Sequence, residues 1–283
     1  MSLSFEAIGT AWVIDSAVPI SSELASLIEQ RVESFDRTWS RFRDDSLVAR
    51  IAREPGTFRF PDEAPALFDL YRRLYEATDA ALSPLVGRTL ETLGYDRSYS
   101  LTPTANPAPV PSWDDAVSWD GESLMTVRPV VLDVGAAGKG YLVDLLAELL
   151  EKHGHAEYTV DGSGDLRHRG PAPLRVALEH PGDTSKAIGI VELSDGSMCS
   201  SATNRRAWAG VHHVIDATTG LPTRNVIATW VVASSTVVAD GLSTALFFVE
   251  PARLAAQFDF EYVRMFADGR VEFSRKLSGE VFT

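Results

Sequence analysis

Helical and extended periodicities do not alternate along this chain, and that ordering limits its fold more than any other feature. Helix-spaced apolar residues mark 21–35 (Leu24, Leu27, Ile28, Val32, Phe35), 61–80 (Ala66, Leu67, Leu70, Leu74, Tyr75) and 140–153 (Leu142, Leu145, Leu146, Leu149, Leu150). Short β-rich runs at 157–161, 174–178, 188–193, 213–216 and 227–233 then follow one another with no helix between them. A doubly wound parallel sheet needs a helix after each strand, so this order predicts an α+β fold with mixed, largely antiparallel sheets flanked by helices. Two more strands are expected at 5–14, where Gly9 interrupts the run, and at 123–133. Helices are expected at 239–249 and 251–258, and a last hairpin turns at Ala267-Asp268-Gly269. The segment 99–113, rich in Pro, Ser and Thr, has no period and reads as a surface excursion. It is the candidate seam in what otherwise reads as a single unit over 1–283.

At 283 residues the chain can bury a large core in one domain or two closely packed ones. Its 26 Lys and Arg against 39 Asp and Glu leave a net charge of −13. That charge repels a phosphate backbone, and no basic cluster offsets it, so neither nucleic acid nor an anionic membrane is expected as a partner. No segment approaches the roughly 20 apolar residues that span a bilayer. The start lacks a basic stretch and an apolar run, so a cytoplasmic protein is the expectation. Cys199 stands alone, which removes an internal disulfide and a cysteine zinc site, and it is expected to be inert.

Five segments carry possible chemistry. The run Val131-Leu132-Asp133-Val134-Gly135-Ala136-Ala137-Gly138-Lys139-Gly140-Tyr141 reads as a strand, a turn of small residues and a helix start. Such a turn admits a ligand close to the backbone and offers free N–H groups to an anion. It is neither a Walker loop nor a dinucleotide fingerprint, and on spacing alone a plain tight turn with Lys139 at the surface is the commoner situation. Asp240-Gly241-Leu242-Ser243-Thr244 places a carboxylate and a hydroxyl four residues apart on one helix face, a pair suited to a hard cation such as Mg²⁺, or else a simple N-cap. In His212-His213-Val214-Ile215-Asp216-Ala217-Thr218-Thr219-Gly220 only one histidine can face a given site, as a general base or as a strand-end residue satisfied by backbone. Asp161-Gly162-Ser163-Gly164-Asp165 lacks the ligands of a calcium loop and reads as a supporting turn. Trp39 and Phe42, in the segment 39–46, can stack on a flat ring or belong to the core.

In this order the segments resemble the ApbE family of FAD:protein FMN transferases. The family pattern D-[LV]-G-G-[IA]-A-K-G-Y-x-x-D is matched by Asp133, Gly135, Lys139, Gly140, Tyr141 and Asp144. Its G-G-D turn resembles Gly162-Ser163-Gly164-Asp165, its H-[IV]-[IV]-D-P-x-T-G resembles His213 through Gly220, and its A-D-A-[LA]-[AS]-T-A resembles Ala239 through Ala245. Ile8-Gly9-Thr10 sits where the family has M-G-T, Phe42 through Ser46 resembles an acidic-Ser segment, and 79–87 resembles D-G-A-F-D-P-T-V-G. The chain departs from these patterns at Ile8, Ser83, Ala136, Gly138 and Ala217, and at Ala202, where the family's usual T-S-G-D is Ser200-Ser201-Ala202-Thr203.

The resemblance implies a single-polypeptide α+β fold that binds FAD and Mg²⁺ and transfers FMN to a Ser/Thr hydroxyl of an acceptor protein, releasing AMP. It implies Asp240, Thr244 and the Gly138 carbonyl as metal ligands and His213 as the base. Gly135, Ala137, Gly138, Lys139, Thr219, Phe42 and Ser46 would line the FAD side, with Asp133 and Asp165 supporting the architecture. An FAD pyrophosphatase yielding free FMN and AMP, and an FAD-binding protein without turnover, are the alternatives.

Overall fold

The computed structural model describes residues 1–104 and 106–282. Ala105, within the 99–113 excursion, lies outside the described residues. The chain divides into two compact units: Met1–Val32, Lys139–Arg205 and Arg224–Thr283 in the first, Glu33–Gly138 and Arg206–Thr223 in the second. Residues 99–113 belong to the second. Among the described residues no helix is long and apolar enough to cross a membrane.

The first unit is built on an eight-stranded sheet in the spatial order Ser2–Ala7, Thr10–Ser16, Tyr158–Asp161, Asp165–Arg169, Gly196–Ala202, Val226–Ala233, Glu261–Phe266, Val271–Phe273. Each neighbouring pair is antiparallel. The expected strand over 5–14 is a hairpin instead: Ile8 and Gly9 take φ of +44° and +79°, the primed-turn geometry whose twist matches paired strands. Asp161 through Asp165 is likewise a hairpin turn, with Ser163 and Gly164 both at positive φ. The expected hairpin at 267–269 joins Glu261–Phe266 to Val271–Phe273.

A second, three-stranded sheet comprises Leu174–His180, Asp183–Leu193 and Gly279–Val281. Its Leu178, Ile188, Val191 and Leu193 meet Leu166, Met198, Ala228, Trp230, Val263 and Met265 of the large sheet in one apolar cluster. Met198 faces that cluster, so period-2 alternation turns Ser197, Cys199 and Ser201 toward the helix Thr236–Ala245. Ser197 Oγ meets Thr236 Oγ1 at 2.8 Å, Ser201 Oγ meets Ser243 Oγ at 2.8 Å, and Thr229 Oγ1 donates to Ser243 O at 2.6 Å. Hydroxyls therefore pin this helix to the sheet.

The second unit holds the helix Pro65–Ala77 and the short helices Leu47–Ile51 and Gly87–Thr92. A small sheet is ordered Gly56–Arg59, Ser123–Thr126, Val117–Trp119. The expected strand over 123–133 ends at Thr126. Val130, Val131 and Leu132 are buried without a ladder; Val130 N–H donates to Ile51 O and Asp133 N–H to Pro84 O. Trp39 is core, packed against Phe60 and Phe68.

Candidate active site

Two helix starts in the first unit are satisfied by each other's carboxylates. The helix Gly138–Lys152 carries Asp144, whose Oδ1 and Oδ2 accept the N–H groups of Thr236 (2.9 Å) and Val237 (2.8 Å). The helix Thr236–Ala245 returns Asp240, whose Oδ2 accepts the Gly140 N–H at 2.9 Å. Each carboxylate thus occupies the positive end of the other helix and takes orphan donors there. Burial pushes Asp144 above its ordinary carboxylate value, against the pull of these N–H donors. Only a glycine permits the approach at 140: a Cβ there would meet Thr236 O at 2.3 Å and Asp240 Cβ at 2.7 Å.

Asp240 is 4% exposed, and Thr244 lies one helical turn further on, half-buried. The pair offers oxygen donors only, which fits a hard cation such as Mg²⁺ and not zinc. Among the described residues no three His, Cys, Asp or Glu side chains converge on a point, so the donor set here is carboxylate plus hydroxyl. Lys139 Nζ stands 3.0 Å from Asp165 Oδ2 and donates to Ser163 O at 3.2 Å. Burial works against its charge, but the carboxylates of Asp165 and Asp240 outweigh it and hold Lys139 above its usual value. Cys199 is fully buried, its thiol pushed well up by burial and its Sγ 3.4 Å from Thr236 O, an inert arrangement.

In the second unit the turn of small residues is organised by Asp133. Its Oδ1 accepts the Gly135 N–H at 2.8 Å, and its Oδ2 takes Arg41 Nε at 2.6 Å. Burial raises Asp133, yet the Arg41 charge and hydrogen bond win and hold it below the ordinary carboxylate range. Arg41 is 4% exposed at its side chain, and among the described residues no group hydrogen-bonds its Nη1 or Nη2; its guanidinium lies over Phe42 (4.2 Å) and Tyr95 (5.0 Å). Replacing Arg41 by Ala leaves the part-buried Asp133 carboxylate without its cation. The expected loss is about 3–5 kcal/mol of stability in urea unfolding, largest above the Asp133 pKa and shrinking as acid protonates that carboxyl. A loss below about 1 kcal/mol at pH 7 would show the pair to be incidental.

Ala137 is fully buried, and Gly138 opens the helix Gly138–Lys152. A Cβ on Gly138 would meet Val134 Cγ2 at 3.0 Å, so glycine replaces the family's alanine where space is short. Ser46 is fully buried and committed: its Oγ donates to Ser40 O and accepts the Ala49 N–H as the N-cap of Leu47–Ile51. Thr219 is exposed in the turn after Ile215–Asp216, where its Oγ1 accepts the Leu221 N–H. Phe42 is half-buried against the cluster of Leu90, Leu93, Tyr95, Trp208 and Ile215.

Two departures have local explanations. Ala217, where the family has proline, donates its N–H to Ala81 O at 2.9 Å, a bond proline cannot make. Ser83, where the family has aspartate, still caps the turn Pro84–Val86 by accepting the Leu85 N–H.

His213 Nδ1 is enclosed, and no group hydrogen-bonds it among the described residues. Burial, then the Arg206 charge, lowers its pKa to about 4. An ordinary histidine in the unfolded chain titrates near 6.5, so below that pH the unfolded state binds a proton that the fold refuses. Stability from this group is complete above pH 6.5 and is lost as pH falls toward 4, by about 2 kcal/mol at pH 5. Unfolding midpoints at pH 7.5 and 5 should therefore fall further for the wild type than for His213→Gln; equal falls would contradict the buried, neutral imidazole.

Sequence reading left out Arg41, Tyr95 and Tyr99. The signal for the tyrosines was present as two aromatic residues four apart in an otherwise aperiodic polar stretch. The Arg41–Asp133 pair spans 92 positions and leaves no local spacing to find.

A sequence model of the ApbE family matches residues 6–263. The FAD:protein FMN transferase of Salmonella typhimurium is 28% identical over 275 residues, covering 86% of this chain and 77% of that protein. The transferase of the same name from Treponema pallidum is 27% identical, with 80% and 70% covered. Among solved structures, the flavin transferase ApbE of Vibrio cholerae superposes with a TM-score of 0.81 at 25% identity, and the ApbE protein of Thermotoga maritima with 0.84 at 24%; each likeness covers 97% of both chains. The α+β architecture of largely antiparallel sheets is thus the one these proteins share, and with its family pattern matched over nearly the whole length the chain belongs to the ApbE family.

Proposed function

We propose that this protein is an Mg²⁺-dependent FAD:protein FMN transferase, which moves FMN from FAD to a Ser/Thr hydroxyl of an acceptor protein and releases AMP. The observation that carries this reading is the Asp240 carboxylate. It is buried, fixed by Gly140, carried on a helix pinned by hydroxyls, and followed one turn later by Thr244. Those oxygens suit Mg²⁺, with the Gly138 carbonyl as the third expected ligand, and leave further positions to phosphate oxygens of FAD. Bound there, Mg²⁺ supplies charge neutralisation at the pyrophosphate.

The protein's own groups do the rest. His213, neutral at physiological pH, takes the proton of the acceptor hydroxyl. The hydroxyl oxygen then bonds to the FMN-side phosphorus, the bond from that phosphorus to the bridging oxygen breaks, and AMP departs with that oxygen. The Asp133-organised turn from Gly135 to Gly138, Lys139, Thr219 and Ser46 support the FAD side, Ser46 by capping the helix beside Phe42. Phe42 offers a flat aromatic face for the isoalloxazine ring.

Incubating the protein with FAD, Mg²⁺ and candidate acceptor proteins, followed by denaturing electrophoresis and flavin fluorescence, tests this reading. Fluorescence that stays with the acceptor band, with one AMP released per FMN attached, is the expected result. AMP with only free FMN would mean a pyrophosphatase, and intact FAD would mean a binding protein.

A further inference from the structure

Residues 94–101 form a strap against the 40–46 segment. Arg97 Nη2 donates to Arg41 O (3.3 Å) and Arg43 O (3.0 Å), and its Nη1 pairs with Asp44. Asp96 Oδ1 accepts the N–H groups of Ser98 and Ser100, which stiffens the strap from within. On it the Tyr99 ring lies parallel to Phe42, 4° apart with centroids at 5.3 Å. Tyr99 is 52% exposed, and Tyr99 and Leu101 sit at φ of +50° and +51°, a region that residues other than glycine rarely enter. An exposed ring is therefore held on Phe42 by a latched, strained backbone. A planar ring between the two would need centroids roughly 7 Å apart, two stacking distances of about 3.5 Å each, so at 5.3 Å the offset-stacked Tyr99 ring leaves no room for one on that side of Phe42.

We propose that Tyr99 is a stand-in for the flavin: its ring occupies the place on Phe42 that the isoalloxazine of FAD takes, so the strap opens before FAD is held. This rests on Phe42 being the flavin face. Tyr99 then sets FAD affinity and entry rate, because apparent affinity scales with the fraction of protein whose platform is uncovered. No covalent step is involved; one aromatic contact is exchanged for another.

Stopped-flow quenching of flavin fluorescence, with FAD as the probe and Mg²⁺ present, reads this directly. Tyr99→Ala should bind FAD about 3- to 10-fold tighter, with the gain in the association rate. Arg97→Ala, which unlatches the strap but keeps the ring, should speed association by about 2- to 3-fold. Phe42→Ala should weaken FAD by about 10-fold, the loss of one aromatic stack. Unchanged or weaker binding by Tyr99→Ala, with Phe42→Ala still impaired, would overturn the stand-in and leave the flavin face standing. Unchanged binding by Phe42→Ala would remove the flavin face and the stand-in together.

Discussion

Asp240→Asn should lower Mg²⁺-dependent AMP release from FAD by at least about 100-fold while the protein stays folded. The substitution keeps an oxygen for the Gly140 N–H, at 2.9 Å from Asp240 Oδ2, so the junction between the helices Gly138–Lys152 and Thr236–Ala245 is preserved. What it removes is the negative charge, and a neutral amide is a poor ligand for a small divalent cation that dehydrates reluctantly. The nearby Lys139 cation also loses one of the two carboxylates that support its charge. Activity should not return with excess Mg²⁺ unless affinity alone is changed, and AMP release within tenfold of wild type would remove Asp240 from the metal site.

Gly140→Ala should be strongly damaging to the first unit. One added methyl would sit 2.3 Å from Thr236 O and 2.7 Å from Asp240 Cβ, and neither belongs to a flexible side-chain end. The helices must separate. Doing so stretches the Asp240 bond to Gly140 and the two Asp144 bonds to Thr236 and Val237, leaving buried donors and carboxylates short of partners. Overpacking costs about 1–3 kcal/mol and an unsatisfied buried group about 1–3 more, so a loss of about 3–5 kcal/mol in urea unfolding is expected. Metal affinity should fall with it, since Asp240 shifts. A loss under about 1 kcal/mol would show that the two helices are not held at this distance.

The long helices were legible because their apolar stripes are local: 21–35, 61–80 and 140–153 correspond to Ser22–Trp39, Pro65–Ala77 and Gly138–Lys152. Strand Gly196–Ala202 was not, because its Ser197, Cys199 and Ser201 face hydroxyls of a helix and give no apolar alternation. The opposite error arose at 130–132, where three buried apolar residues imitate a strand but make isolated backbone bonds. Within the candidate site, the motif residues could be read one segment at a time, including the Asp240 and Thr244 spacing. Their partners could not: Asp144 meets Thr236 across 92 positions, and Tyr99, in a stretch without period, meets Phe42 from the far side of the helix Pro65–Ala77 in sequence. Chain spacing carries the local chemistry, and tertiary pairing decides which of those groups are rigid.

The most direct test of the account is FAD affinity measured by flavin fluorescence in Mg²⁺ and in EDTA, for the wild type and for Thr244→Val, which removes one hydroxyl at nearly constant volume. FAD binding should weaken at least about tenfold without Mg²⁺ in the wild type, and the Thr244→Val protein should already bind weakly and gain little from Mg²⁺. Equal FAD affinity with and without Mg²⁺, in both proteins, would contradict this expectation.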